Sequence, residues 1–213
     1  RVGLAHRRLS IIDLDERATQ PMVSKDGRYV ISFNGEIYNY RELRRKLQQK
    51  GYHFRTTSDT EVILHLFAER GVAMLQELRG MFAIALWDNY ENKLLLARDP
   101  YGIKPLYYSD DGLTLRVASQ VKALLAGGKI SRKQEPAGLV GFYLFGSVPE
   151  PFTLYENIRA VPASSYMCIT TSGPSEPIVY FSIPETLCGA AHATGKLKHE
   201  ELQQVIREHL LDS

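Results

Sequence analysis

The 213-residue chain has 26 basic and 24 acidic residues, a formal net charge of +2, and is 44% hydrophobic and 23% charged. This is the composition of a globular domain that buries its own core, and the balanced charge argues against a dedicated nucleic-acid surface. Two cysteines, Cys168 and Cys188, are too few for a disulfide framework, and the longest strictly apolar run, Met81 to Trp87, is far short of the ~18 residues that span a bilayer.

In chain order, Val2 to Ala5 reads as strand. Arg28 to Phe33 is β-rich and ends at Asn34-Gly35, a turn signal. Ile37 to Lys50 reads as a helix with Leu43 and Leu47 on one face and Gly51 at its C-terminal cap. The basic residues Arg41, Arg44, Arg45 and Lys46 read as its solvated face. Tyr52 to Thr56 reads as a short strand. Ser58-Asp59-Thr60-Glu61 has the spacing of a capping box and predicts a helix that Gly71 closes, followed by a shorter helical piece over Val72 to Leu78.

The period then changes. Met81 to Asp88 and Lys93 to Asp99 predict a hairpin whose apolar strands are covered on both faces, and Leu106 to Ser109 and Leu113 to Ala118 predict a second one. Arg98-Asp99 reads as an ion pair at a strand end. Val121 to Ala126 and Pro136 to Phe145 read as helices, and Tyr166 to Thr170 and Ile178 to Phe181 as strands. Residues 184–197 have the small, Gly/Ala-rich composition of a linker, and Leu202, Val205, Ile206, His209 and Leu210 form a helical stripe. The blocks predict an α+β layered fold. The chain opens at Arg1, ends inside a helical pattern and shows no leader, so it reads as an internal piece of a longer cytoplasmic protein.

Three segments place polar groups at element boundaries: His6 to Asp13, Asn34-Gly35-Glu36 and Ser58-Asp59. An arginine can clamp a carboxylate through two parallel hydrogen bonds, an asparagine amide and a glycine N–H can donate to a developing oxyanion, and an aspartate can accept from an ammonium. Such a set suits a free α-amino acid whose side-chain carbonyl is attacked. Each residue also has a plainer reading: Asp59 as a first-turn acid, Asn34-Gly35 as a turn, Arg8 as a surface or salt-bridged arginine, His6 as a structural histidine, and Cys168 as a buried apolar thiol.

The ordered set AHRRLSIIDL (5–14), QPM (20–22), FNGEIYNY (33–40), TSDTEVILH (57–65), LRGMFAIALWD (78–88), ARDPYGIKPLYY (97–108), ASQVKALL (118–125) and YENIRAVPASSYM (155–167) resembles the glutaminase domain of glutamine-dependent asparagine synthetases, class II glutamine amidotransferases with an N-terminal nucleophile. The resemblance spans nearly all of residues 1–182. It implies a four-layer αββα sandwich of the N-terminal-nucleophile hydrolase type, lacking its first strand. Residues 183–197 would be a linker, and residues 198–213 the first helix of the ATP-binding synthetase domain.

Carried over position by position, the resemblance gives Arg8 the glutamine α-carboxylate, with backbone groups of Ile11 and Ile12 beside it. Asn34 and Gly35 become the oxyanion hole, and Glu36 and Asp59 receive the α-amino group. The nucleophilic cysteine would lie upstream of the RLSI segment; neither Cys168 nor Cys188 can stand in, so these residues alone are not expected to turn over glutamine. For the parent protein the resemblance implies a ligase of amino-acid biosynthesis. Glutamine supplies ammonia to an aspartate activated by ATP and Mg²⁺, giving asparagine, AMP and diphosphate. No metal or ATP site is expected in these residues, nor any nucleic-acid or membrane partner; a homodimer fits. The alternatives are an amidotransferase for another acceptor and a non-catalytic glutamine-binding module. Two departures from the family pattern are Gln120, where glutamate is frequent, and Ala163-Ser164-Ser165, where a glycine-containing turn is common.

Overall fold

Apolar residues at Tyr29, Ile31, Phe33 and Ile37 alternate with more exposed ones and make a nine-residue strand, β2 (Tyr29–Ile37). It runs through Asn34-Gly35 instead of turning there. The structure, a computed structural model, describes residues 2–7, 16–194 and 199–212. Arg8, Ile11 and Ile12 lie outside the described residues. The chain divides into two units, Arg1–Tyr180 and Phe181–Ser213.

In the first unit, β2 pairs antiparallel with β1 (Met22–Val23) on one side and with β3 (Gly80–Asp88) on the other. The sheet continues through β4 (Lys93–Arg98), β8 (Ser165–Thr170) and β10 (Ile178–Val179), with β9 (Gly173–Pro174) also on β8. A second sheet has the order β6-β5-β7, from β5 (Tyr107–Asp110), β6 (Leu115–Ala118) and β7 (Arg159–Ala160).

Both faces of the first sheet are covered, as the apolar runs predict. One face carries Ile31, Phe33, Phe82, Ile84, Leu86 and Leu95. These bury against Leu43 and Leu47 of α1 (Tyr40–Gln49) and Val62, Ile63 and Leu66 of α2 (Asp59–Arg70). The other carries Ala83, Leu94, Leu96 and Met167 and packs with Leu106 and Val161 toward the second sheet. Each such aliphatic side chain contributes about 1.5–3 kcal/mol by leaving water. α3 (Val121–Ala126) packs on β5 and β6, giving the order helices, sheet, sheet, helix; α4 (Pro136–Phe145) follows. The α+β sandwich expected from the sequence is the fold observed.

Several local expectations are corrected. Val2 to Ala5 is not a strand: among the described residues it joins neither sheet. Tyr52 to Thr56 is irregular, because Glu61 takes the Arg55 and Thr56 N–H groups that a ladder would use, and the Thr56 hydroxyl as well. Ser58 does cap α2, accepting from Thr60 N at 3.2 Å, but Glu61 does not close a capping box. The helical piece after Gly71 is a 3₁₀ helix, Gly71–Gln76. Arg44 is not purely solvated: it stacks on Phe54 and donates to Thr56 O. Arg98 and Asp99 do not pair; Arg98 bonds Glu150, and Asp99 accepts four backbone N–H groups.

In the turn Ala163-Ser164-Ser165, Ser164 sits at φ 61°, a left-handed position that favours glycine. The second unit contains helices α5 (Ile183–Thr194) and α6 (His199–Asp212). The stretch read as linker is therefore largely helical: its proline falls in the first turn, and its three alanines favour helix. None of the described helices is long and apolar enough to cross a membrane.

Candidate active site

The site is built on the backbone polarity of β2. In a strand, successive N–H groups point to opposite edges. Tyr38 N–H bonds Arg79 O and Asn89 N–H bonds Arg28 O, so even-numbered residues of β2 face β3. Odd-numbered residues face the opposite edge, where β1 reaches only as far as Ile31. Beyond it, side chains replace the missing strand. Gln20 Oε1 accepts the Phe33 N–H at 2.6 Å, and Asp59 Oδ2 accepts the Ile37 N–H at 3.1 Å. The Gly35 N–H lies between them on the same edge, where none of the described strands pairs with it.

Gly35 is required by closeness. A Cβ there would meet Met81 O at 2.0 Å, and one at Gly80 would meet Glu36 O at 2.1 Å. The two glycines let β2 and β3 approach at the site, which explains a glycine in a strand interior.

Asn34, Gly35, Glu36 and Asp59 all line one cleft of about 1640 Å³, together with Val2 to Arg7, Gln20, Thr60 and Lys104. Among the described residues, the Asn34 amide and the Glu36 carboxylate make no hydrogen bond. Asp59 is buried at the N-terminus of α2. Burial pushes its carboxyl above the ordinary carboxylate value, opposed by hydrogen bonds from Ile37 N, Thr60 N and Ser58. His6 Nδ1 lies 3.2 Å from Ser32 Oγ, which brings the Val2–Arg7 segment against β2. Asp99 fixes the next loop by accepting from Tyr101, Ile103 and Lys104 N–H, and this holds Lys104 at the cleft. No residue lining the cleft is a cysteine. Cys168 packs with the helix-facing cluster, on the other side of the sheet from cleft-lining Ile169.

The structure thus brings together four of the seven residues expected from the sequence. Gln20, Ser32 and Thr60 were missed. The QPM segment was legible as a motif, but the job of its glutamine depends on where β1 stops. Gln120, at the N-cap position of α3, also lines the cleft and makes no side-chain cap.

Residues 1–181 match the family model described as a glutamine amidotransferase domain. The chain belongs to the glutamine amidotransferase domain family. Among curated relatives of this amidotransferase domain, the asparagine synthetase (glutamine-hydrolyzing) 2 of Bacillus subtilis is 37% identical over all of this chain and 29% of its own length. Asparagine synthetase 1 of the same organism is 38% identical over all of this chain and 32% of its own length. Asparagine synthetase B of Escherichia coli is 45% identical over 63% of this chain and 24% of its own. The amidotransferase chain therefore spans about a third or less of these relatives.

Two solved structures share the fold. The glutamine phosphoribosylpyrophosphate amidotransferase of B. subtilis matches with a TM-score of 0.56 at 24% identity, covering 80% of this chain and 33% of that one. An allosteric regulatory enzyme of purine biosynthesis matches with a TM-score of 0.53 at 24% identity, covering 75% and 30%.

Proposed function

We propose that this amidotransferase domain binds L-glutamine in the cleft beside β2 and presents its side-chain amide for hydrolysis, as the ammonia-supplying part of an asparagine synthetase. The observation that carries the reading is the open Gly35 N–H, flanked on one edge by two N–H groups already capped by Gln20 and Asp59, with the Asn34 amide beside it. A backbone donor fixed by a sheet before the reaction starts, with an unbonded side-chain amide next to it, is what an oxyanion hole needs, since the backbone donor need not reorganise as charge develops.

Each remaining residue takes an end of the substrate. Asp59 and Glu36 accept the α-ammonium, and Arg8, with Ile11 and Ile12, takes the α-carboxylate. With both ends held, the δ-carbonyl is delivered to the donors, and orientation supplies much of the rate. The resemblance assigns the attack to a cysteine thiol upstream of Arg8. Its sulfur adds to the δ-carbon, the carbonyl electrons move to the oxygen held by Asn34 and Gly35, and ammonia leaves with the thiol proton. Water then hydrolyses the thioester to glutamate. A reducing cytoplasm suits thiol chemistry.

Among the described residues, no group of three or more His, Cys, Asp or Glu side chains could hold a metal. ATP and Mg²⁺ belong, in this reading, to a separate synthetase domain, and no step here runs through them.

The test uses the full-length protein with aspartate, ATP, Mg²⁺ and either glutamine or ammonium. Glutamate and asparagine formed together support the reading. Glutamate without asparagine redirects the nitrogen to another acceptor, and absence of glutamate release contradicts the glutaminase role.

A further inference from the structure

We infer that Gln20 is a positioning residue that couples the oxyanion-hole strand to the helix that binds the substrate amine. The inference rests on the glutamine-binding reading above. In the β1–β2 ladder Met22 faces Ile31 and Val23 faces Val30, so a continuation of that register would place Gln20 opposite Phe33. β1 ends before reaching that point. The Gln20 side chain makes the missing bond instead, its Oε1 accepting the Phe33 N–H at 2.6 Å. Its other end, Nε2, donates to Thr60 Oγ1 at 3.4 Å.

Phe33 precedes Asn34 and Thr60 follows Asp59. One buried amide therefore bridges the residues next to the two functional groups. The second bridge between the same elements is Asp59 itself, bonded to Ile37 N at 3.1 Å. Asn34, Gly35 and Glu36 lie between the two bridges. An amide suits this position because it carries an acceptor and a donor on one rigid plane. Removing it would leave the Phe33 N–H unpaired on an edge with no described strand beside it, and would leave the start of α2 tied to β2 through the Asp59–Ile37 bond.

The two bonds make separable predictions. In the full-length protein, Thr60→Val keeps the shape of the side chain and the Phe33 bond but cuts the link to α2. The KM for glutamine should rise at least threefold with kcat nearly unchanged. Gln20→Met removes both bonds at similar length. Glutamine-dependent kcat/KM should fall about 10- to 100-fold through both parameters. Ammonia-dependent synthesis should stay within twofold in each case.

A merely structural glutamine would lower the melting temperature and both nitrogen-source activities together, without the split between KM and kcat; that result overturns the inference. So does unchanged glutamine kinetics in both variants. If Gln20→Met does not fold, Thr60→Val alone decides. Wild-type protein that releases no glutamate defeats the function proposed above and this inference with it. Wild-type activity with indifferent variants defeats only this one.

Discussion

The Asp59 carboxylate accepts the backbone N–H of Ile37 at 3.1 Å, so one oxygen of the residue assigned to the substrate amine is already committed to the strand that carries Asn34 and Gly35. Burial holds its pKa above the ordinary value. The folded state therefore takes up a proton more readily than the unfolded one. The stability tied to this group is fully present below the unfolded pKa and is lost as pH rises through the folded one. At neutral pH the ionised Asp59 is therefore less stabilising than its protonated form would be, as expected of a charge kept for a ligand.

Asp59→Asn should accordingly melt no lower than wild type at pH 7, while its KM for glutamine rises tenfold or more. In wild type, the same KM should climb as pH falls, beginning above the ordinary carboxylate range. Paired calorimetry and steady-state kinetics check both. A variant that loses stability but keeps its KM assigns Asp59 to the fold alone.

Gly35→Ala should be costly out of proportion to one methyl group. Its Cβ would fall 2.0 Å from the Met81 carbonyl, and a backbone carbonyl in a sheet cannot swing aside. Overpacking of this kind costs about 2–3 kcal/mol. The midpoint of urea unfolding should fall without change in slope, and glutamine use should drop with it because the oxyanion donor is displaced.

Glu61 is the acid-sensitive post of α2. Burial raises its pKa, but nearby His65, the Arg55 and Thr56 N–H groups and the Thr56 hydroxyl outweigh it and bring the value down to about 2, from an ordinary 4.5. His65 Nε2 stands 3.8 Å away, within ion-pair range but beyond a hydrogen bond. The stabilisation is present above the unfolded value and is lost as pH falls through the folded one. The stability gap between wild type and Glu61→Gln should shrink from pH 4.5 down to about 2, as followed by urea titration at stepped pH. A gap that stays constant would mean that the charge is immaterial.

Asp99→Ala should cost about 1–3 kcal/mol, because the buried Phe82 N–H loses its acceptor together with the half-buried N–H groups of Tyr101, Ile103 and Lys104. Hydrogen exchange should rise at these four amides first. Protection that persists there would show that water or another acceptor replaces the carboxylate.

Much of this was legible in the sequence. The switch from helical spacing to short apolar runs split by Asn89-Tyr90-Glu91-Asn92 located β3 and β4, and the nearly all-apolar character of those strands foretold cover on both faces. Pro136 to Phe145 was read to the residue, since proline opens it and Gly146 closes it. What failed did so for non-local reasons. Asn34-Gly35 has the composition of a turn, yet Gly35 serves an approach between strands that only the register with β3 reveals. Tyr52 to Thr56 has the residues of a strand, but the Glu61 carboxylate, five and six residues on, takes the N–H groups of Thr56 and Arg55. The candidate residues Asn34, Gly35, Glu36 and Asp59 came from the ordered motifs, whereas Gln20 needed the point where β1 stops.

The most direct test of the account is the nitrogen-source ratio of Asn34→Ala in the full-length protein. The kcat with glutamine should fall by about 10²–10³, the usual cost of one oxyanion donor, while synthesis from ammonium stays within twofold of wild type. Equal losses with both nitrogen sources, or none with glutamine, would contradict it.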